Sequence, residues 1–159
     1  MLMKLLKKMA TYMQWANREI WKLVEALSDK EFNQCFGTHG GNIHNRYIHL
    51  AQDSWEWYHD WTGKNPGPEP DFTAMSREDL FHFIVKYTQL WIDLIGERKV
   101  SEYTIRKGNT EITIEFDEIF FHIVNHVTYH RGQIVMALRL LDKNVHMTDY
   151  VPHRISIAK

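Results

Sequence analysis

Cysteine is almost absent from this chain of 159 residues, which contains only Cys35. A single cysteine excludes an intrachain disulfide and is typical of a reducing compartment. Residues 1–9 alternate apolar side chains with lysines and lack the continuous apolar core and cleavage site of a signal peptide. No apolar run is long enough to span a bilayer. We therefore expect a cytoplasmic protein that does not enter a membrane.

A surplus of either charge is also missing, since 19 Lys and Arg residues face 20 Asp and Glu residues. General binding of nucleic acid or of an anionic membrane needs a basic surplus, so neither partner is expected. A local basic patch is compatible with this balance. The length fits one domain over residues 1–159, and the apolar fraction of 44% is that of a soluble globular protein.

Apolar residues recur at steps of three and four in four segments, which predicts four amphipathic helices. The first runs from about residue 3 to about residue 28. A loop follows, with three glycines as breakers: Gly37, Gly40 and Gly41. The second helix begins after the capping residue Asn42 and stops near Gly63, before the connector 66–70, whose prolines a helix cannot cross.

Residues 76–79 resemble a capping box and predict the start of a third helix, which ends at Gly96. The apolar period then changes to two around Gly108-Asn109, which predicts a short hairpin. A fourth helix is expected over about 117–141, and the tail 147–159 is expected to be extended and packed along the body. The sequence therefore predicts an all-α four-helix bundle with a hairpin between helices three and four.

Histidine is abundant, and three of the ten histidines stand at four-residue steps on the predicted fourth helix: His122, His126 and His130. Neighbouring imidazoles at this spacing lie on one helix face and can converge on a metal ion. His126 and His130 fall inside the apolar stripe, while His122 lies at its edge. His122 cannot share an ion with His130, since eight residues span about 12 Å of helix. We expect His122 at the surface or behind the ligands.

Two interpretations of His126 and His130 stay open. Each inward ring needs a partner for its polar nitrogen, and either core hydrogen bonds or a shared metal ion would supply one. A third ligand would come from the second helix, where His44 and His49 are equal candidates by spacing. His49 lies on the flank of that helix, so either the metal sits in a groove near the bundle surface or His49 is not a ligand.

Glutamate is missing where a zinc peptidase of the His-Glu-x-x-His kind needs its general base, because Val127 follows His126. Peptidase chemistry of that kind is not expected. A site of histidines alone leaves coordination positions open, where a water or a thiol becomes more acidic. Imidazole suits zinc, nickel, iron or copper. Arg131 is expected to hold a carboxylate of the fold rather than one of a substrate.

Three stretches resemble the DinB family of metalloenzymes. Residues 125–133, Asn-His-Val-Thr-Tyr-His-Arg-Gly-Gln, are similar to its hallmark. Residues 12–17 are similar to its first-helix signature and residues 41–50 to its second-helix signature. The resemblance covers nearly the whole chain and implies an up-down-down-up four-helix bundle. It also implies one divalent transition metal, such as zinc, nickel or iron, held by three histidines: His49, His126 and His130.

The resemblance implies a function as well, since relatives include thiol-dependent transferases and isomerases and some hydrolases, often as dimers. We expect a metal-dependent enzyme, and a homodimer, that activates a low-molecular-weight thiol or a water against a small-molecule substrate. The family pattern provides no general base. Asp53, one turn beyond His49, is our candidate for that role or for a hydrogen-bond partner of the site. The alternative is a non-catalytic stress-response metal-binding protein, whose site would be closed by a fourth protein ligand.

Overall fold

The computed structural model describes residues 2–37, 41–65, 67–97 and 102–158. Gly40, Pro66 and Lys159, each part of a prediction above, lie outside these ranges. In chain order the helices and strands are α1 Leu2–Val24, α2 Asp29–Phe32, α3 Ile43–Thr62, α4 Arg77–Glu97, β1 Glu102–Lys107, β2 Thr110–Glu115, α5 Phe116–Leu140 and α6 Tyr150–Ser156. No helix within the described ranges has the length and apolarity that crossing a membrane requires.

Local sequence signals set the ends of the long helices. Asn42 caps α3, since its side-chain oxygen accepts a hydrogen bond from the Asn45 N–H at 2.6 Å. Gly63 ends α3 in the left-handed conformation, with φ of 62°. Before α4, the Asp79 N–H donates to Ser76 Oγ at 3.0 Å, so Ser76 satisfies one of the free amides of the first turn. The predicted cap and stop of the second helix are confirmed.

The contacts between helices fix their directions. Trp21, near the end of α1, stacks on Phe81, near the start of α4, with ring centroids 4.3 Å apart. Gln14 of α1 donates to Gln89 further along α4, so these two helices are antiparallel. The Tyr47 ring near the start of α3 also contacts Trp21, at 5.7 Å. α3 and α4 therefore start at the same end of the bundle and run parallel.

Helix α5 returns antiparallel to α3. Trp61, at the end of α3, contacts Phe116, at the start of α5, with ring centroids 5.8 Å apart. His49, near the start of α3, contacts His130, well along α5. α1 and α3 each pack against both α4 and α5. The four long helices therefore run up, down, down and up, and the predicted bundle is confirmed.

A dense apolar core holds these helices in place. Fully buried large side chains come from all four: Met13, Ile20, Ile43, Leu80, Trp91, Ile119 and Phe120. Interiors of this kind are packed as tightly as organic crystals, so neighbouring helices do not slide freely. Polar side chains on the face that α3 shares with α5 consequently have fixed positions relative to one another.

Strands β1 and β2 form an antiparallel hairpin in which Thr104 lies opposite Thr113. Gly108 in the two-residue turn has φ of 59°, a conformation that other residues rarely adopt. The Tyr103 ring contacts Trp61 of α3 at 5.2 Å. The hairpin therefore packs against the end of α3. It does not cover the opposite end of the face between α3 and α5.

Two short helices differ from the predictions. α1 ends at Val24, and the segment after it contains α2, whose start is held by a capping box between Ser28 and Glu31. The prediction of an extended tail is wrong, because α6 forms there. The tail does pack along the body, since the Tyr150 ring meets Tyr12 of α1 edge-on at 5.5 Å. Four and seven residues are too few to display a helical period, which explains both misses.

Candidate metal centre

The face between α3 and α5 brings four polar side chains together. α3 contributes His49 and Asp53, and α5 contributes His126 and His130. The members of each pair are four residues apart and so share one helix face. Because the helices are antiparallel, His49 lies opposite His130 and Asp53 lies opposite His126. Matching spacings on two facing helices therefore produce one compact cluster.

The three imidazoles are close enough to share one ion. A ring nitrogen from each of His49, His126 and His130 lies within 4.8 Å of the other two. The Nε2 atoms of His49 and His130 are 3.1 Å apart. Two nitrogens bound tetrahedrally to one zinc ion at about 2.05 Å stand about 3.3 Å from each other. The observed separation therefore suits two ligands of one ion as well as a hydrogen bond.

His126 distinguishes between these two interpretations. Its Nε2 atom is buried and has no hydrogen-bond partner among the described residues, although Asp53 Oδ2 lies only 2.5 Å away. The Asp53 oxygen lies outside the direction in which a ring N–H donates, so this close approach is not a hydrogen bond. A buried nitrogen without a partner is costly. Since a divalent ion would satisfy it, the residues present fit a metal.

Asp53 stands beside the histidines on both helices. Its Oδ2 atom is 3.3 Å from His49 Nε2 and 2.5 Å from His126 Nε2. The three-histidine group with mutual distances below 4.8 Å does not include it. A carboxylate in this position can accept a proton beside an ion or donate a fourth ligand to it. These two roles correspond to an open and a closed coordination sphere.

His130 is oriented by a residue that the sequence analysis did not assign. Its Nδ1 atom is 2.9 Å from the side-chain oxygen of Gln133. That oxygen only accepts, so Nδ1 carries the proton and Nε2 keeps its lone pair toward His49. Burial lowers the pKa of His130, and the nearby imidazoles lower it further, which favours the neutral ring that binds metals. The three-residue spacing on one helix was the available signal.

The cluster lies in a groove rather than at the bundle axis. The side chain of His49 is 42% exposed and that of His126 is 27% exposed, while His130 is buried. Solvent therefore reaches the cluster from the His49 side. This agrees with the flank position of His49 on the helical wheel and with the groove alternative that the spacing left open.

The other candidate histidines lie outside the group. His122 is exposed, and its ring stacks on Trp57 at 4.5 Å and on His126 at 5.7 Å. His44 is directed to the segment after α2, where its Nδ1 is 2.9 Å from the side-chain oxygen of Asn33. The structure thus brings His49, and not His44, next to the inward histidines of α5.

A small cavity of about 30 Å³ adjoins the cluster. That volume holds one or two water molecules. Asp53 and His126 form its polar side, and Trp57, Trp91 and Ile123 belong to its apolar wall. A reacting group at the cluster would therefore have water-sized space on one side and aromatic surface on the other.

Arg131 binds residues of the fold, as expected, but its hydrogen bonds go to neutral side chains. It is 5% exposed and donates to Tyr12 Oη at 2.8 Å, Asn17 Oδ1 at 3.3 Å and Thr128 Oγ1 at 3.2 Å. These hydrogen-bond partners are neutral, and the carboxylate of Asp149 acts on the guanidinium by charge, without a described hydrogen bond. Tyr12 and Asn17 belong to the first-helix signature, which therefore serves to bind the arginine that follows His130.

The fold and the site define a class: four-helix bundles in which two facing helices group three histidines at a surface groove. The chain belongs to the DinB family, whose model matches residues 1–156.

Two relatives show how far the similarity extends. The chain is 22% identical over 154 residues to the protein DinB of Bacillus subtilis (strain 168), and the match covers 90% of each protein. Its fold is similar to that of YfiT from Bacillus subtilis, with a TM-score of 0.66 and 14% identity over 87% of this chain and 89% of that one. YfiT is described as a probable metal-dependent hydrolase with an unusual four-helix bundle topology. At 14% identity, the likeness to YfiT is evidence for the fold alone.

Proposed function

We propose that His49, His126 and His130 hold one divalent transition metal, such as zinc, nickel or iron, and that the protein is a metal-dependent enzyme. The buried, unpartnered Nε2 of His126 within a group of three imidazoles is the observation that carries this proposal. The description of YfiT as a metal-dependent hydrolase supports it from a second direction. Three protein ligands leave at least one coordination position for a reacting molecule.

The reaction class is the transfer or hydrolysis of a small-molecule substrate. Bound there, the ion would lower the pKa of a coordinated water or low-molecular-weight thiol. Asp53 would be the proton acceptor, since its Oδ2 atom lies against two of the imidazoles. Gln133 keeps His130 in the tautomer whose free nitrogen faces the site. Trp57 would offer aromatic surface to an apolar part of the substrate beside the cluster.

A second candidate function follows from the same carboxylate. If Asp53 is a fourth ligand, the sphere is closed and the protein is a non-catalytic stress-response metal-binding protein. The 3.3 Å between Asp53 Oδ2 and His49 Nε2 matches the separation of two ligands on one ion and supports this alternative. The two candidates differ in what Asp53→Asn does, because a base is needed for turnover and a ligand for metal retention.

The test begins with metal analysis of protein prepared without an affinity tag. We expect close to one ion per chain, and a content below about a tenth that does not rise on metal addition contradicts the proposal. Activity is then measured with p-nitrophenyl acetate and with bacillithiol, mycothiol or glutathione plus chlorodinitrobenzene. Asp53→Asn should keep the ion and lower the rate about 10²-fold or more. Loss of the ion instead, with a lower melting temperature, identifies the non-catalytic alternative.

The partner proposed for the protein surface is a second copy of the chain. Four exposed apolar side chains lie along one side of α5: Phe121, Tyr129, Met136 and Leu140. An uncovered apolar stripe of this kind marks an interface. Light scattering should give a dimer, and the double variant Met136→Glu/Leu140→Glu should give a folded monomer. A monomeric parent protein contradicts the homodimer.

A further inference from the structure

We propose a second ligand site, a cationic groove between α1 and α6 that binds a small organic phosphate. The groove has a volume of about 470 Å³ and lies at the start of α1. It is independent of the proposed metal centre, whose residues are on α3 and α5. Its cationic lining consists of Lys4, Lys7, Lys8 and Arg154.

The charge of this groove is unlike that of the chain. The net charge of the protein is −1, yet no Asp or Glu is among the residues that line the groove. Lys4 lies three and four residues before Lys7 and Lys8, so like charges are neighbours on the helix and repel each other. The start of α1 also carries the positive end of the helix dipole and has no acidic residue in its first turn. A bound anion would relieve both effects.

His153 is the second observation that indicates a ligand. It lines the groove and is 3% exposed, and its Nδ1 atom has no hydrogen-bond partner in the described part of the chain. Its ring packs against Trp15 at 5.1 Å and Tyr12 at 5.9 Å. Buried imidazole nitrogens are normally satisfied. A groove that combines exposed cations with an unsatisfied buried nitrogen is suited to a ligand with anionic and polar groups.

Shape and apolar lining restrict the class of ligand. The groove volume of about 470 Å³ falls within the range of about 300–1,000 Å³ that is typical of small-molecule sites. Met3, Tyr150 and Ile157 supply apolar surface beside the cations. Inorganic phosphate would leave that surface unused. A phosphate group attached to a ring or an apolar body uses both, so an organic phosphate is the ligand class we infer.

The test measures the affinity of the whole protein for adenosine 5′-monophosphate and for inorganic pyrophosphate by calorimetry, at concentrations up to about 5 mM. We expect tighter binding of the nucleotide and an affinity that falls as salt rises. Lys4→Glu/Lys8→Glu should weaken binding at least about tenfold. The matched control Lys30→Glu/Lys86→Glu makes the same charge change at exposed sites away from the groove and should leave the Kd within about twofold.

Two further variants test whether the nucleotide binds in this groove and not at the proposed metal centre. His153→Phe retains a ring and removes the unpartnered nitrogen, so it should weaken nucleotide binding while circular dichroism stays unchanged. His126→Ala removes a proposed metal ligand and should leave the Kd unchanged, which separates this site from the metal centre. Loss of nucleotide binding in His126→Ala shows that the phosphate sits on the metal and overturns the proposal.

Three other results also overturn it. They are the absence of binding heat for both probes, an equal weakening in the control pair, and an affinity that His153→Phe and Lys4→Glu/Lys8→Glu leave unchanged. Co-sedimentation with vesicles of phosphatidylcholine and phosphatidylserine, without nucleotide binding, would identify the lysines as a membrane contact instead.

Discussion

Two polar clusters lie side by side on α5 and differ in how their hydrogen bonds are satisfied. Arg131 is buried, and its guanidinium donates to Tyr12, Asn17 and Thr128. His130, the preceding residue, belongs to a cluster in which a buried imidazole nitrogen has no hydrogen-bond partner. The Arg131 cluster lies inside the bundle, whereas His49 and His126 are partly exposed and border a groove that solvent reaches.

The comparison sets a cluster whose members satisfy one another against a cluster that we propose binds an ion. Groups that satisfy one another stabilise the packing of α1 on α5, and removing one member leaves the others unpaired. A cluster with an unpaired buried nitrogen destabilises the protein unless something binds there. Functional sites are where proteins tolerate such local costs. The predictions below test this contrast, beginning with the largest effect.

Loss of one imidazole should abolish metal uptake and cost little stability. In His126→Ala we expect metal per chain to fall at least about tenfold, because two ligands on separate helices do not hold an ion tightly. The free energy of unfolding of the metal-free protein should change by less than about 1 kcal/mol, since the removed nitrogen has no hydrogen bond to lose. Metal analysis and urea denaturation measure both, with His122→Ala as the control on the same helix. Full metal content in His126→Ala would show that His126 is not a ligand, and the contrast with the Arg131 cluster would be lost.

Arg131→Ala should show the opposite pattern. We expect a loss of about 2–4 kcal/mol in the free energy of unfolding, because the hydroxyl of Tyr12 and the amide of Asn17 lose their buried partner. Metal per folded chain should stay near that of the parent protein. Arg139→Ala, at an exposed position of α5, is the control and should change stability by less than about 0.5 kcal/mol. A stable Arg131→Ala protein would show that the satisfied cluster contributes nothing.

Gln133→Leu should weaken metal binding without abolishing it. The substitution removes the acceptor that holds His130 in one tautomer, and changes behind a ligand cost about 10–100-fold in metal affinity. Competition with a fluorescent chelator measures this. Gln133→Glu keeps an acceptor at the same place and should restore most of the affinity. Equal affinities for Gln133→Leu and the parent protein would show that the Gln133 contact does not orient His130.

The smallest effect concerns a third polar cluster, which is formed at the surface by Glu31, Lys143 and Ser28. Hydrogen bonds from Lys143 and Ser28 lower the pKa of Glu31 from 4.5 to about 2. A carboxyl group with a lowered folded pKa stabilises the protein above about pH 4.5, and that contribution is lost as the pH falls toward 2. Glu31→Gln should therefore be less stable than the parent near neutral pH and should converge with it in acid. A constant difference across this range of pH contradicts the assignment.

Local signals in the sequence predicted most of the bundle. Asn42 and Gly63 define the ends of α3 because capping and a left-handed stop depend on neighbouring residues alone. His126 and His130 were placed inward by the helical period, and the structure agrees for His130 and places His126 at the edge of the groove. The resemblance to the family selected His49 over His44, which spacing alone did not.

The contacts between distant residues could not be read from local patterns. Arg131 bonds to Tyr12 across 119 positions of the chain, and its partner was expected to be a carboxylate. The position of Asp53 against His126 depends on how α3 and α5 pack, which a helical wheel does not contain. α6 depends on Tyr150 and its contact with α1, since its own seven residues are too short to show a period.

X-ray absorption of the zinc-loaded protein, prepared without a tag, measures the central claim most directly. The account predicts three imidazole nitrogens on one zinc at about 2.0–2.1 Å, with the imidazole signal reduced in His126→Ala. A spectrum with fewer than three imidazoles, or one that His126→Ala leaves unchanged, would show that His49, His126 and His130 do not share an ion.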